Sequence, residues 1–197
     1  WARDASSRLT SDPGDDVEPR WTPDGRRLVF VSTRENATPS LYWQRADGTG
    51  EVQRLTQSKN PQYGGSTWHP SGKFLVFSEI NPRTGSDLMI LPMEGDEATG
   101  WKLGEPRAFL NSPARELYPS FSPDGKQMAF LSNATGTSQV WVMKLPSGEP
   151  KQLTNYDDNI SFVQYSPAGN GLVFSKAKGG DENTQIYWMS NDGTQIK

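Results

Sequence analysis

Apolar and polar residues follow a pattern that recurs four times along the chain. Each copy opens with an aromatic residue, a small polar residue or His, then Pro, any residue and Gly. The copies begin at Trp21, Trp68, Phe121 and Tyr165, and their prolines are 47, 53 and 44 positions apart. A nearly continuous apolar run follows each turn, which predicts a strand buried on both faces. These runs cover residues 28–32, 75–78, 128–132 and 172–175.

Further strand patterns complete each copy. A second apolar run lies beyond a polar loop, at 41–43, 88–91, 140–143 and 186–189. It leads into a tight turn where Gly supplies a positive φ at no steric cost. These turns carry Asp47-Gly48, Glu94-Gly95, Ser147-Gly148 and Asp192-Gly193. Short outer strands are predicted at 54–56, 108–110 and 152–154, so one copy is four antiparallel strands.

A four-stranded sheet of this kind cannot bury both of its faces alone, whereas copies stacked around an axis bury them against each other. The pattern therefore predicts an all-β fold, a β-propeller of four-stranded antiparallel blades with four blades visible. We expect a single propeller segment over residues 1–197, with blades at about 11–56, 57–110, 111–154 and 155–197. Residues 1–10 are interpreted as the outer strand of a preceding or a closing blade.

The repeat resembles that of the TolB-like β-propeller family, whose blades carry Pro-Asp-Gly turns of the PD40 type. The shared pattern is an aromatic, Ser or Thr, Pro, Asp, Gly and Lys or Arg, then an apolar strand, an Asp-Gly turn and Arg-Leu-Thr. The first and third copies match best. The second has His69 and Ser71 in the motif, and the fourth has Ala168 in place of the acid.

This resemblance implies that the four blades are part of a six-bladed ring. The alternative is a closed ring of four blades, in which residues 7–10 complete the last blade as its outer strand. An open arc would leave two apolar blade faces exposed, which predicts self-association of the chain.

Composition argues against two classes of partner. The formal net charge is −3, and the 20 Lys and Arg residues are scattered along the chain, so nucleic-acid binding has no electrostatic footprint. No stretch approaches the roughly 18 apolar residues of a membrane span, so we expect no membrane insertion.

Patterns for catalysis and metal binding are also missing. The chain has one histidine, His69, and no cysteine, which excludes multi-histidine and thiolate metal sites. No Gly-x-Ser-x-Gly segment occurs, so we expect no serine-hydrolase centre in this segment. Asp24 and Asp124 precede Gly in tight turns, where local backbone hydrogen bonds explain them. We therefore expect no enzymatic activity, no cofactor and no metal.

Antiparallel strand order places the short Gly turns on one rim of the propeller and the long loops on the other. Binding residues concentrate on loops that a rigid scaffold positions. We therefore expect a ligand on the long-loop rim, near the axis, where ten polar and aromatic residues from four blades would converge. The candidates are Asp15, Asp16, Glu18, Tyr63, Arg115, Glu116, Tyr118, Asp157, Asp158 and Asn159.

These features favour a non-catalytic scaffold that binds a protein or peptide. The TolB-like resemblance implies a bacterial protein in the periplasm or another extracytoplasmic compartment. One alternative is the gating propeller of a prolyl-oligopeptidase-type serine peptidase whose catalytic domain lies outside this chain. Another is a propeller that binds a small molecule or a glycan.

Overall fold

The computed structural model describes residues 8–35, 37–179 and 183–197, except for the side chains of residues 64 and 65. Strands account for all the regular elements in these ranges. The first blade contains β1 (Asp16–Trp21), β2 (Arg27–Ser32), β3 (Ser40–Arg45) and β4 (Gln53–Arg54). The second contains β5 (Gln62–Trp68), β6 (Phe74–Asn81), β7 (Gly85–Asp96), β8 (Gly100–Leu103) and β9 (Arg107–Leu110). The third contains β10 (Glu116–Phe121), β11 (Gln127–Ser132), β12 (Gln139–Lys144) and β13 (Lys151–Gln152). The fourth contains β14 (Ile160–Tyr165), β15 (Leu172–Lys176) and β16 (Gln185–Met189).

Each blade is an antiparallel sheet whose strands pair in chain order from the inner strand outward, except that in the second blade both β8 and β9 pair with β7. The inner strands β1, β5, β10 and β14 contact one another in sequence, so the blades are arranged around a common axis. The predicted β-propeller with four blades is therefore confirmed. Apolar layers fill the space between adjacent blades, and we call each layer a seam. One seam joins blades 1 and 2, a second joins blades 2 and 3, and a third joins blades 3 and 4.

The repeated turn has the same internal structure in the first and third blades. The hydroxyl of Ser122 donates to Asp124 over 2.7 Å and accepts from the backbone N–H of Gln127 over 2.9 Å. Thr22 makes the corresponding bonds with Asp24 and Arg27, at 2.6 and 3.0 Å. The two aspartates thus hold turns together, as predicted.

The second blade differs from the predicted pattern. It has five strands rather than four, because β7 is twelve residues long and continues through Glu94 and Gly95, where a turn was predicted. The chain reverses after Asp96 instead, and β8 pairs back on β7. The loop predicted at 79–86 is also shorter, since β6 extends to Asn81 and β7 begins at Gly85.

This extra hairpin is fastened to the first blade by a group of charged and aromatic side chains. Glu97 forms ion pairs with Arg27 and with Arg45, the second at 2.8 Å. The Trp101 indole donates to Glu97 over 3.0 Å and packs edge-on against Trp43, with ring centroids 5.5 Å apart. The insertion therefore reinforces the seam between blades 1 and 2.

Among the described residues, the fourth blade has three strands, and its outer position holds a single bridge between Met189 and Ile196. The outer strand predicted within residues 1–10 lies mostly outside the described residues, and residues 8–10 form no strand. Leu9 Cδ1 lies 3.7 Å from the position that a Cβ would take at Gly48, in the first blade. Leu153 of the third blade lies beside Gly193 of the fourth in the same way.

Trp21 lies at a repeat strand position, where a tryptophan is expected to pack between blades, but it is not buried there. Its side chain is 60% exposed, whereas Trp43 is 2% and Trp68 is 9% exposed. Strand β1 is exposed along most of its length, because blade 2 packs against only one side of the first blade.

Candidate functional site

The inner strands do not pair evenly with their neighbours near the long-loop rim. The register of β1 with β2 shifts between Val17 and Arg20, and that of β10 with β11 shifts between Leu117 and Ser120. Such bulges leave a residue outside the ladder and redirect its side chain. The bulge residues are Glu18 and Tyr118, which occupy equivalent positions in their repeats.

Both bulge residues have backbone angles in the left-handed region. The φ angle is 56° at Glu18 and 51° at Tyr118, although neither residue is Gly. This conformation costs on the order of 1–3 kcal/mol per residue and is concentrated at binding and catalytic sites. Two strained residues at matching positions therefore single out this part of the long-loop rim.

A cavity of about 440 Å³ opens between these strands, and we call it the rim pocket. This volume lies within the range of ligand pockets, roughly 300–1,000 Å³. It is built by three of the four blades. Its lining residues are Glu18, Tyr63, Ile80, Gly85, Ser86, Arg115, Leu117 and Tyr118.

The rim pocket exposes unusually large apolar side chains. Tyr63 is 42% exposed, Ile80 is 40% exposed and Tyr118 is 36% exposed. Single exposed apolar residues are ordinary on a protein surface, but several in one concave patch mark a site of interaction. Tyr and Arg are also the residue types that contribute most to binding at protein interfaces.

Two opposite charges in the rim pocket have no partner among the residues that the structure describes. Neither the Glu18 carboxylate nor the Arg115 guanidinium forms a hydrogen bond or ion pair with a described residue. Arg115 is nevertheless held at its base. Its backbone N–H donates to Asn133 Oδ1 over 2.7 Å, and its Cγ lies 3.6 Å from the position of a Cβ on Gly85. The pocket thus presents a positioned cation and an anion to solvent.

A second concavity follows the axis and shares the lining residue Tyr118 with the rim pocket. This axial channel has a volume of about 390 Å³ and is lined by residues of all four inner strands. Tyr118 lines both cavities, and its ring meets that of Phe162 edge-on, with centroids 6.2 Å apart. Tyr118 therefore stands at the junction of the rim pocket and the channel.

Behind the rim pocket lies a pair of buried carboxyl groups. Glu116 and Asp87 are each 3% exposed, and one oxygen of each has no hydrogen-bond partner. Burial raises the pKa of Glu116, and the nearby charge of Asp87 raises it further. The other Glu116 oxygen accepts from the Ser112 hydroxyl, and Thr84 donates to Asp87 over 2.7 Å. Glu116 therefore belongs to the seam between blades 2 and 3.

The structure brings four of the ten predicted rim residues into one pocket: Glu18, Tyr63, Arg115 and Tyr118. The remaining six do not join them, and most hold the loops in place. Asp16 pairs with Arg34 at 3.0 Å, Asp158 accepts from Gly179 N–H over 3.0 Å, and Asn159 accepts from Ser138 N–H over 2.7 Å. The other three outside the pocket are Glu116, Asp15 and Asp157.

Reasoning from sequence missed Ile80, Leu117 and Phe162. Ile80 and Leu117 looked like ordinary strand or loop positions, and their place in the pocket depends on how blades 2 and 3 meet. The signal in the sequence was Gly85 itself. In the structure this glycine has a φ of 99° and permits the close approach of the Arg115 side chain.

The lone histidine lies away from the rim pocket, in the repeated turn of the second blade. His69 Nδ1 is 2.7 Å from Ser71 Oγ, and Nε2 is 3.1 Å from the Gly125 carbonyl oxygen of the next blade. Its ring also meets that of Phe121 edge-on, with centroids 5.1 Å apart. This arrangement matches the structural role expected from sequence.

Two further features bear on the sequence expectations. Within the described ranges, no group of three or more His, Cys, Asp or Glu residues is arranged to hold a metal ion. The same part of the chain contains no helix of the length and hydropathy needed to cross a membrane.

Comparison with known proteins places the fold. No protein-family model matches the chain. It is 30% identical over 161 residues, or 81% of its length, to the uncharacterized peptidase YuxL of Bacillus subtilis (strain 168). It is 31% identical over 79 residues, or 40% of its length, to the Tol-Pal system protein TolB of Francisella tularensis subsp. mediasiatica (strain FSC147). The crystal structure of TolB from Acinetobacter baumannii covers 95% of the chain with a TM-score of 0.71 and 21% identity.

The chain spans only part of each of these proteins: 21% of the peptidase, 18% of the Francisella protein and 44% of the Acinetobacter chain. The fold is a β-propeller whose cavities include the rim pocket and the axial channel. Within that class, the chain resembles TolB in its fold and in its repeats.

Proposed function

We propose that this chain is a non-catalytic scaffold that binds a protein or peptide partner through its long-loop rim. The observation that carries the proposal is the rim pocket, where Tyr63, Ile80 and Tyr118 are exposed around two unpaired charges. An apolar surface with a few orienting polar groups is the usual composition of a binding site. The strained backbone at Tyr118 supports the same interpretation.

The TolB-like similarity supports a protein partner and an extracytoplasmic location. Propellers support many functions, so the fold alone does not choose among them. A protein or peptide is favoured over a small molecule because the rim pocket is open and adjoins, at Tyr118, a channel lined by all four blades.

Peptide selection tests this proposal. The immobilised 197-residue chain is screened against random dodecapeptides displayed on phage, and the selected peptides are measured against a Tyr63→Ser, Tyr118→Ser double variant. We expect binding to the unaltered chain and a loss of at least 10-fold in the double variant. Leu103→Ser is the control, since it removes a side chain of similar exposure (37%) from the hairpin at the other end of blade 2. Selected peptides that bind both variants equally would contradict the proposal.

A second candidate function is the gating propeller of a peptidase. It is favoured by one specific observation, the 30% identity to the peptidase YuxL over 81% of this chain. In that case the axial channel would admit substrate, and Tyr118 and Phe162 would narrow its entrance. The complete gene decides this, because a Gly-x-Ser-x-Gly segment in an attached α/β-hydrolase domain is required.

A further inference from the structure

The rim pocket has an apolar part and a charged part, and this arrangement limits which peptides could bind there. Its apolar part is formed by Tyr63, Ile80 and Tyr118, and its charged groups are Arg115 and Glu18. An exposed arginine often has a carboxylate partner within the same protein. Arg115 has none within the described part of the chain, although two acidic side chains, Asp87 and Glu116, lie behind the pocket.

The backbone and the aliphatic stem of Arg115 are held in place by neighbouring residues. Its backbone is fixed through Asn133, and its aliphatic stem lies against Gly85, where any larger residue would be strained. A guanidinium offers a planar pair of N–H donors that fits both oxygens of a carboxylate. Because burial raises the pKa of Glu116, its buried carboxyl group competes less with an external anion for Arg115.

Glu18 determines where an external anion can lie. Its carboxylate belongs to the first blade, pairs with no described cation and repels a second negative charge. The anion is therefore expected near Arg115, with the apolar side chain of the same ligand against Tyr63, Ile80 and Tyr118. A carboxylate and an apolar side chain on neighbouring atoms occur together at the last residue of a peptide.

We propose that the rim pocket binds the free C-terminus of a peptide whose last residue is apolar. Arg115 receives the terminal carboxylate, and the two tyrosines and Ile80 surround the last side chain. This inference rests on the proposed peptide-binding function and specifies its ligand. An internal Asp or Glu beside an apolar residue is the other source of the same chemistry, and the experiment separates the two.

Synthetic peptides test the inference. Dissociation constants are measured by fluorescence anisotropy for N-terminally labelled Gly-Ser-Gly-Ser-X, where X is Phe, Leu, Ile, Val or Tyr. Each peptide is prepared with a free C-terminus, with a C-terminal amide, and extended by Gly-Gly after X. We expect at least one free acid to bind at least 10-fold more tightly than its amide and its extended form.

Variants of the chain assign the effect to Arg115. Arg115→Gln should remove the difference between acid and amide, and Arg115→Lys should restore part of it. Arg83→Gln is the matched control, because Arg83 is an exposed arginine on the β6–β7 loop that does not line the pocket. It should leave the acid-to-amide ratio unchanged.

Equal affinity for acid and amide would overturn the inference, and so would a ratio that survives Arg115→Gln. Failure of every acid to bind would overturn it as well. Tighter binding of a peptide with internal Asp-Phe, blocked at its C-terminus, would assign Arg115 to an internal acid instead. In each case, phage-selected peptides that still require Tyr118 would leave the proposed function standing.

Discussion

The first and third blades carry the best-matched copies of the repeat, but equivalent positions in them have different neighbours. Phe130 of the third blade is 2% exposed and lies in the seam with the second blade, beside Val76 and Leu88. Phe30 of the first blade is stacked on Tyr42 instead. The Arg34 guanidinium lies over both rings of the first blade, at 5.3 and 5.0 Å from their centroids.

The acids that begin the inner strands differ in the same way. Asp16 is paired with Arg34, whereas Glu116 is buried beside Ser112 with no cation. Burial acts to raise the pKa of both groups, but hydrogen bonds from Ser32, Thr10 and Arg34 bring that of Asp16 below its usual value. The repeat therefore determines the backbone conformation at a position, whereas the adjacent blade determines which groups the side chain contacts.

Removing the two phenylalanines should give the largest difference between the blades. Phe130→Ala should lower the free energy of unfolding by about 3–5 kcal/mol, because it leaves a cavity in a closed seam. Phe30→Ala should cost less, roughly 2 kcal/mol, because Arg34 can move into the space. Urea denaturation of both variants measures this. Equal losses would show that the two blade faces are packed alike.

The second-largest difference in stability should come from the contacts that join blade 1 to blade 2 and blade 3 to blade 4. Glu97→Ala removes the shared partner of Arg27 and Arg45, and we expect a loss of about 1–3 kcal/mol. Gln127, the equivalent of Arg27 in the third blade, accepts only one hydrogen bond across its seam, from the Tyr165 hydroxyl at 3.0 Å. Gln127→Ala should cost about 1 kcal/mol. Thermal unfolding of both variants compares them, and a smaller effect for Glu97→Ala would contradict the role of the hairpin.

The repeated turns should respond alike in the two blades. Thr22→Val and Ser122→Ala each remove a buried hydroxyl that bridges an aspartate and the backbone five residues on. We expect each variant to lose about 1–2 kcal/mol, within error of the other. Unequal losses in denaturant titrations would mean that the turn also depends on its neighbours.

The smallest effects should appear in the pH dependence of stability. The pKa of Glu116 is raised in the folded chain, so its contribution is present below the unfolded pKa and is lost as pH rises through the folded pKa. Asp16 has a lowered pKa, so its contribution is present above the unfolded pKa and is lost as pH falls through the folded pKa. Glu116→Gln should therefore raise stability at neutral pH, whereas Asp16→Asn should lower it there. Melting temperatures across pH 3–8 measure both, and shifts of the same sign would contradict the assignment.

Sequence was sufficient for features that depend on local pattern. The four turns, the aspartates of the first and third, and the buried strands follow from spacing and from the conformational freedom of Gly, as at Gly25 with φ of 68°. The β8 strand was missed because Glu94-Gly95 has the composition of a turn, while the hairpin is held by the ion pairs of its Glu97 with Arg27 and Arg45 of the first blade.

The sequence predicted the rim on which the candidate site lies but not which residues line it. Strand order placed the long loops on one rim, and Glu18 and Tyr118 lie there. The strained backbone of Glu18 and Tyr118 and the presence of Ile80 in the pocket depend on how the blades pack together. The spacing of residues along the sequence does not show this packing. Whether Arg115 has an ion-pair partner likewise depends on where the neighbouring carboxylates lie in three dimensions, which the sequence does not show.

Hydrogen–deuterium exchange of the chain with a phage-selected peptide tests the central claim most directly. If the rim pocket is the binding site, the peptide should slow exchange in segments 62–68, 80–86 and 115–121, and Tyr118→Ser should abolish that protection. Protection confined to the opposite rim, in segments 69–73 and 122–126, would contradict the account.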